Sequence, residues 1–188
     1  MFPIMATAQN LAGSGDAPDS PSRTSSFSGI YPSQWQFGVG YQYNRVNLTG
    51  TPFNTHGLNA TITRFFGGWF GLDGQLGIGL SGNTGASTVP PNLTVRSLFF
   101  GAGPRAAYRH PGRIQPWVHA VVGLQDFRLT QTGLLGSNKG IGVELGGGAD
   151  FPLAPRLSFR VEADVLETHL FSTFQRHFQM IGGLAFNF

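Results

Sequence analysis

From Trp35 onward, apolar and polar side chains alternate with a period of two. Trp35, Phe37, Val39, Tyr41 and Tyr43 share one face, and Gln36, Gly38, Gly40, Gln42 and Asn44 the other. This is the signature of an extended strand, whose successive side chains point to opposite sides. The pattern returns seven times. Leu58, Ala60 and Ile62 oppose Asn59, Thr61 and Thr63; Leu72, Leu76, Ile78 and Leu80 oppose Asp73, Gln75, Gly77 and Gly79. Leu98, Phe100 and Ala102 oppose Gly101, Gly103 and Arg105, and Val118, Ala120 and Val122 flank His119. Ile141, Val143 and Leu145 oppose Glu144, Gly146 and Asp150; Phe159, Val161 and Ala163 oppose Arg160, Glu162 and Asp164; Phe178, Met180, Leu184 and Phe186 oppose Gln179, Gly183 and Asn187. An all-β fold of eight antiparallel strands follows, and the even number suits a closed barrel.

Composition decides which face is outside. Charged residues make up 11% of the 188-residue chain, against about a quarter in a soluble domain. Lys139 is the only lysine. No stretch approaches the roughly 20 apolar residues of a membrane-crossing helix. Only helices and closed barrels satisfy every backbone hydrogen bond in hydrocarbon, so a transmembrane β-barrel is predicted. The polar face, mostly glycine with scattered charges, is too sparse for a solvated exterior but suits a narrow lumen. Eight strands leave room there only for side chains, and small residues help them curl tightly. The apolar face then meets lipid, with Trp35, Tyr41, Tyr43, Trp69 and Tyr108 towards strand ends as interfacial girdles. The links 45–57, 81–93, 125–139 and 166–177 read as long, and 66–69, 109–114 and 152–156 as short. That alternation predicts extracellular loops, periplasmic turns and two periplasmic termini.

The formal charge of +3 comes mostly from scattered arginines, with no basic run or helix, so nucleic acid is not an expected partner. Cysteine is absent, which removes disulfides and thiolate metal sites. Ala6-Thr7-Ala8 resembles a signal-peptide cleavage site, so residues 1–8 are expected to be the end of a signal peptide. Residues 9–33, rich in Ser, Gly, Pro and Asp, are expected to form a flexible leader before a barrel over 34–188.

The chain resembles the OmpA/OmpX-like family of eight-stranded outer-membrane barrels, particularly the barrel-only proteins common in soil Acidobacteria. The resemblance spans roughly residues 34–188. It rests on Gly57-Leu58-Asn59-Ala60-Thr61, Trp69-Phe70-Gly71-Leu72 and Phe100-Gly101-Ala102-Gly103-Pro104-Arg105. Further matches are Pro116-Trp117-Val118-His119-Ala120, Leu145-Gly146-Gly147-Gly148-Ala149-Asp150, Glu162-Ala163-Asp164 and the terminal Gly183-Leu184-Ala185-Phe186-Asn187-Phe188. It implies a bacterial outer-membrane location and contact with outer-membrane lipid and lipopolysaccharide. The alternating aromatic end (Leu184, Phe186, Phe188) resembles the signal read by the barrel-assembly machinery. The sequence ends there, where OmpA proper continues into a peptidoglycan-binding domain, so no cell-wall tether is expected.

Candidate chemistry concentrates in the lumen. Asp73, Arg105, Glu144, Arg160, Glu162 and Asp164 face inward, and an unpaired charge in a dry bore is costly, so an ion-pair network including His119 is expected. The carboxylates of Asp73, Glu144, Glu162 and Asp164 are the expected partners of Arg105 and Arg160. His119, with no second histidine in register, reads as structural, and no metal or cofactor is assigned. Trp117 and Phe99 also point inward and should block a channel. Glu167, His169 and Ser172 lie close in sequence, but their spacing departs from that of lipid-A deacylases, and no catalytic residue is assigned. Gly146-Gly147-Gly148 opens no helix and so is no phosphate loop. The expected function is a monomeric structural or surface-interaction barrel with a plugged lumen. The alternatives are a narrow porin-like channel or a lipid-A-modifying enzyme.

Deleting Phe188 should reduce the heat-modifiable folded protein in the outer-membrane fraction, because the terminal aromatic alternation is cut. Unchanged levels of folded protein in that fraction would contradict this.

Overall fold

Eight strands follow one another in chain order around a closed barrel in a computed structural model that describes residues 34–48, 51–81, 94–110, 113–131, 134–170 and 173–188. They are β1 (Trp35–Leu48), β2 (Thr51–Phe65), β3 (Phe70–Ser81), β4 (Thr94–Ala107), β5 (Gln115–Gln131), β6 (Leu134–Ala154), β7 (Leu157–Leu170) and β8 (Thr173–Asn187). Every neighbouring pair is antiparallel, and the sheet closes where β1 pairs with β8, from Gln36↔Asn187 to Arg45↔Phe178. Trp35 and Phe188 prolong this seam by exchanging backbone hydrogen bonds of 3.1 and 3.0 Å. The expected signal-peptide end and leader lie outside the described residues.

Alternation along each strand sorts the side chains as a lipid-facing barrel requires. Phe37, Leu76, Phe100, Leu124 and Phe186 point outward and are exposed, while Gln36, Gln75, Gln125 and Asn187 are buried in the bore. A belt of exposed apolar side chains of this extent needs a nonaqueous surround. At the end carrying the short turns, Trp35, Phe66, Trp69 and Tyr108 form an exposed aromatic rim. The Arg64 guanidinium lies 5.3 and 5.2 Å from the Trp35 and Phe66 ring centroids, so the rim also carries a cation. The β2–β3 turn there passes through Gly67 at φ 112°, a conformation that side-chain-bearing residues rarely adopt.

The connections differ from those expected. Links 45–57, 125–139 and 166–177 are mostly strand: β1 runs to Leu48, β5 to Gln131 and β7 to Leu170, each ladder continuing into the next strand. Most of 81–93 lies outside the described residues. On the other side, the 152–156 turn shrinks to two residues, because β6 continues to Ala154 past a register shift between Pro152 and Ala154. The physical reason is that the ladder is made by backbone groups, and polar side chains do not break it. Strands of 12 to 21 residues exceed the roughly 9–11 that cross hydrocarbon. The surplus projects beyond the membrane as paired hairpin, where polar composition had suggested loop.

Leu76→Arg places a charge on the lipid face and should destabilise the barrel by roughly 2–4 kcal/mol if it lies near the bilayer midplane. Gln75→Arg, one residue away and facing the bore, should cost less. Urea titrations in liposomes compare the two, and equal losses would contradict the assignment of faces.

Candidate functional site

The inward side chains lie in layers. Nearest the short turns, Phe65, Ala107 and Trp117 make a buried apolar cluster. Farther along, Phe99, Val121 and Leu166 make another. The polar residues between them come from every part of the chain, because each strand contributes its inward face at a height set by the pairing register.

The layer nearer the turns centres on Arg160. Its Nε and Nη2 donate to the two oxygens of Asp150 at 2.7 and 2.9 Å, the forked geometry that suits guanidinium and carboxylate. Nη2 also donates to Gln36 Oε1 at 2.6 Å and Nη1 to Thr61 Oγ1 at 3.1 Å. Gln36 Nε2 bonds both Asp150 and Asn187 at 3.0 Å, and Trp117 Nε1 donates to Asp150 at 3.3 Å. Five strands are thereby tied to one arginine and its carboxylate. Arg105 takes a different partner, Asp73, at 3.4 Å, and donates to Thr63 at 3.1 Å. Its guanidinium carbon sits 3.6 Å from the Trp117 ring centroid, and that of Arg160 5.0 Å from the same ring. Both guanidinium groups thus lie within cation–π reach of the one indole.

The second layer is a carboxylate cluster around His119. Nδ1 lies 3.3 Å from Asp73 Oδ2, and Nε2 lies 3.1 Å from Asp164, 3.6 Å from Glu144 and 3.9 Å from Glu162. Gln179 Nε2 reaches Asp164 at 3.4 Å and Glu144 at 3.5 Å. Gly146 creates the space: a methyl at that position would collide with the Asp164 carboxylate.

All seven network residues expected from the sequence are buried; Arg105 has Asp73, one of its expected carboxylates, and the other pairings differ. The carboxylate of Arg160 is Asp150, which alternation placed on the lumen face but which had not been assigned to the network. Glu144, Glu162 and Asp164 gather on His119 and form no hydrogen bond to an arginine among those described. Inward direction follows from the two-residue period, whereas partner choice depends on how far adjacent strands are staggered. Of the possible catalytic set, Glu167 faces outward and binds Arg176 at 2.9 Å. Ser172 and the side chain of His169 lie outside the described residues.

A second feature, on the exterior, was missed. Arg96 faces Arg128 directly across β4–β5, and Asp126 faces Lys139 across β5–β6. The four line an open groove of about 450 Å³ with Thr130, Gly136 and Ser137, beyond the apolar belt at the end opposite the short turns. Asp126 accepts from Arg128 at 3.3 Å, one carboxylate among three cations. All but Arg96 belong to the β5–β6 hairpin, and the β4–β5 register brings Arg96 to them.

A closed eight-stranded antiparallel barrel with exposed apolar side chains and buried polar ones is the architecture of an outer-membrane β-barrel. The chain belongs to the outer membrane protein beta-barrel domain family, whose model matches residues 20–182. Among solved structures it is similar to neisserial surface protein A (NspA), with TM-score 0.69 and 10% identity over 83% of this chain and 98% of that one. The attachment invasion locus protein Ail of Yersinia pestis gives 0.58 and 16%, covering 83% of this chain and 100% of the other. OprG of Pseudomonas aeruginosa gives 0.56 and 13%, with 85% and 98% covered. At these identities the likeness is one of fold. No curated protein matches by sequence.

Asp150→Ala should cost about 3–5 kcal/mol of stability, because the buried Arg160 would lose its carboxylate. Glu167→Ala, which breaks an exposed pair, should cost at most about 1 kcal/mol. Urea unfolding in liposomes measures both, and similar small losses would show that the bore is wet.

Proposed function

We propose that this protein is a monomeric, non-catalytic structural and surface-interaction barrel of the outer membrane, closed by its own side chains and holding lipopolysaccharide phosphates at its outer rim. The observation that carries the reading is the direct opposition of Arg96 and Arg128 on the exterior. Like charges facing each other across a ladder repel. Lys139 adds a third cation beside them, and an anionic group in the groove would relieve the repulsion. Phosphates accept charge-assisted bonds from guanidinium in paired geometry, and lipid-A phosphates lie at the level just beyond an outer-leaflet apolar belt.

Closure of the bore is supported by the apolar clusters on either side of the polar layers. The lumen pocket lined by Gln42, Phe99, Gln125, His177 and Gln179 offers only about 10 Å³, the lower limit for holding one water. In the same reading the end of the barrel where β1 begins and β8 finishes is periplasmic, and Leu184, Phe186 and Phe188 present the signal to the barrel-assembly machinery.

The test combines two measurements on the folded protein. Lipopolysaccharide in the liposome should raise the urea midpoint of the wild type, and the combined variant Arg96→Gln, Arg128→Gln, Lys139→Gln should lose that increment. The wild type should show no steady conductance in planar bilayers. An increment unchanged by the three substitutions would overturn the rim site, and large, stable channels would make the protein a pore.

A further inference from the structure

The polar bore is unbalanced in charge. Asp150 is matched by Arg160 and Asp73 by Arg105. Glu144, Glu162 and Asp164 are left with a single imidazole, His119, and all four side chains are at most 1% exposed. Both carboxylate oxygens of Glu162 and Oε1 of Glu144 have no hydrogen-bond partner despite this burial. Isolated buried carboxylates are strongly disfavoured, and uncompensated ones need a cation or a proton.

We propose that His119, Glu144, Glu162 and Asp164 bind a divalent transition-metal ion, Zn²⁺ or Mn²⁺, in the bore of the barrel. One ligand atom from each lies within 4.8 Å of the others. Around His119 Nε2 the carboxylate oxygens stand at 3.1, 3.6 and 3.9 Å. Ligands on a tetrahedron with bonds of 2.0–2.2 Å are about 3.3–3.6 Å apart, so small side-chain adjustments complete the shell. The mixed imidazole and carboxylate set suits Zn²⁺ or Mn²⁺ better than Ca²⁺, which takes only oxygen.

The surroundings are those of a ligand histidine. Asp73 accepts from Nδ1 at 3.3 Å and is itself held by Thr63 at 2.6 Å and by Arg105. With Nδ1 donating, Nε2 directs its lone pair at the three carboxylates. This carboxylate–histidine arrangement orients metal ligands and fixes their tautomer. Gly146 keeps the approach between His119 and Asp164 open. The ion would join β5, β6 and β7 through the bore, and because the bore is tight it would enter during folding. The site rests on the closed lumen and is independent of any ligand at the rim.

The experiment refolds the full chain into detergent micelles with Zn²⁺ or, separately, Mn²⁺, removes free ion on a chelating resin, and counts retained metal by plasma mass spectrometry. The wild type should keep one ion per chain with at least one of the two metals. Glu162→Gln and Glu144→Gln should lose it, whereas the triple rim variant should keep it. If the wild type retains neither ion, or the two glutamine variants retain as much as the wild type, the proposal is overturned. X-ray absorption of the wild type retaining Zn²⁺ or Mn²⁺ decides even if the variants do not fold. A shell of one imidazole with carboxylate oxygens supports the site, and a shell with two or more imidazoles, or none, refutes it.

Discussion

The constraint on which the rest of the structure depends is backbone hydrogen bonding in hydrocarbon. Lipid offers no partner for an exposed N–H or C=O, so a sheet survives there only without edges. The β1–β8 seam, continued by Trp35 and Phe188, removes the last edge. Closing eight strands forces the bore to be narrow. The narrow bore then determines which inward side chains can coexist, and the chemistry of the interior follows from the same requirement that makes the protein a barrel.

Inside, the difficulty is buried charge. The two arginines meet it differently. Arg160 satisfies its guanidinium with Asp150, Gln36 and Thr61, drawing partners from across the bore. Arg105 has fewer direct acceptors and lies against Trp117, 3.6 Å from its ring centroid. Around His119 the balance tips towards negative charge, and there the interior calls for something more than its own side chains. Outside, the sign is reversed: the rim of Arg96, Arg128 and Lys139 presents positive charge above an apolar belt, suited to an anionic lipid headgroup.

How much of this was legible in the sequence follows from periodicity. A two-residue alternation is local, so it was enough to place Trp35 and Phe37 outward, Gln36 and Asp73 inward, and to number eight strands. Low charge and the absence of long apolar runs then turned the barrel inside out relative to a soluble one. Loop lengths were less legible, because Arg45 and Asn54 are polar yet still paired: composition reports on side chains, whereas the ladder belongs to the backbone.

Partnership was beyond sequence reach, and the physical reason is stagger. Arg160 meets Asp150, its direct partner on β6, rather than Glu162 two residues along its own strand, and that choice depends on the β6–β7 register. Convergence of Glu144, Glu162 and Asp164 on His119, and of Arg96 with Arg128 across 32 residues, likewise depends on register. The strands, their two faces and their lipid surround could be read from neighbouring residues and overall composition. Which charges touch could not, because those distances are set by closure of the whole sheet.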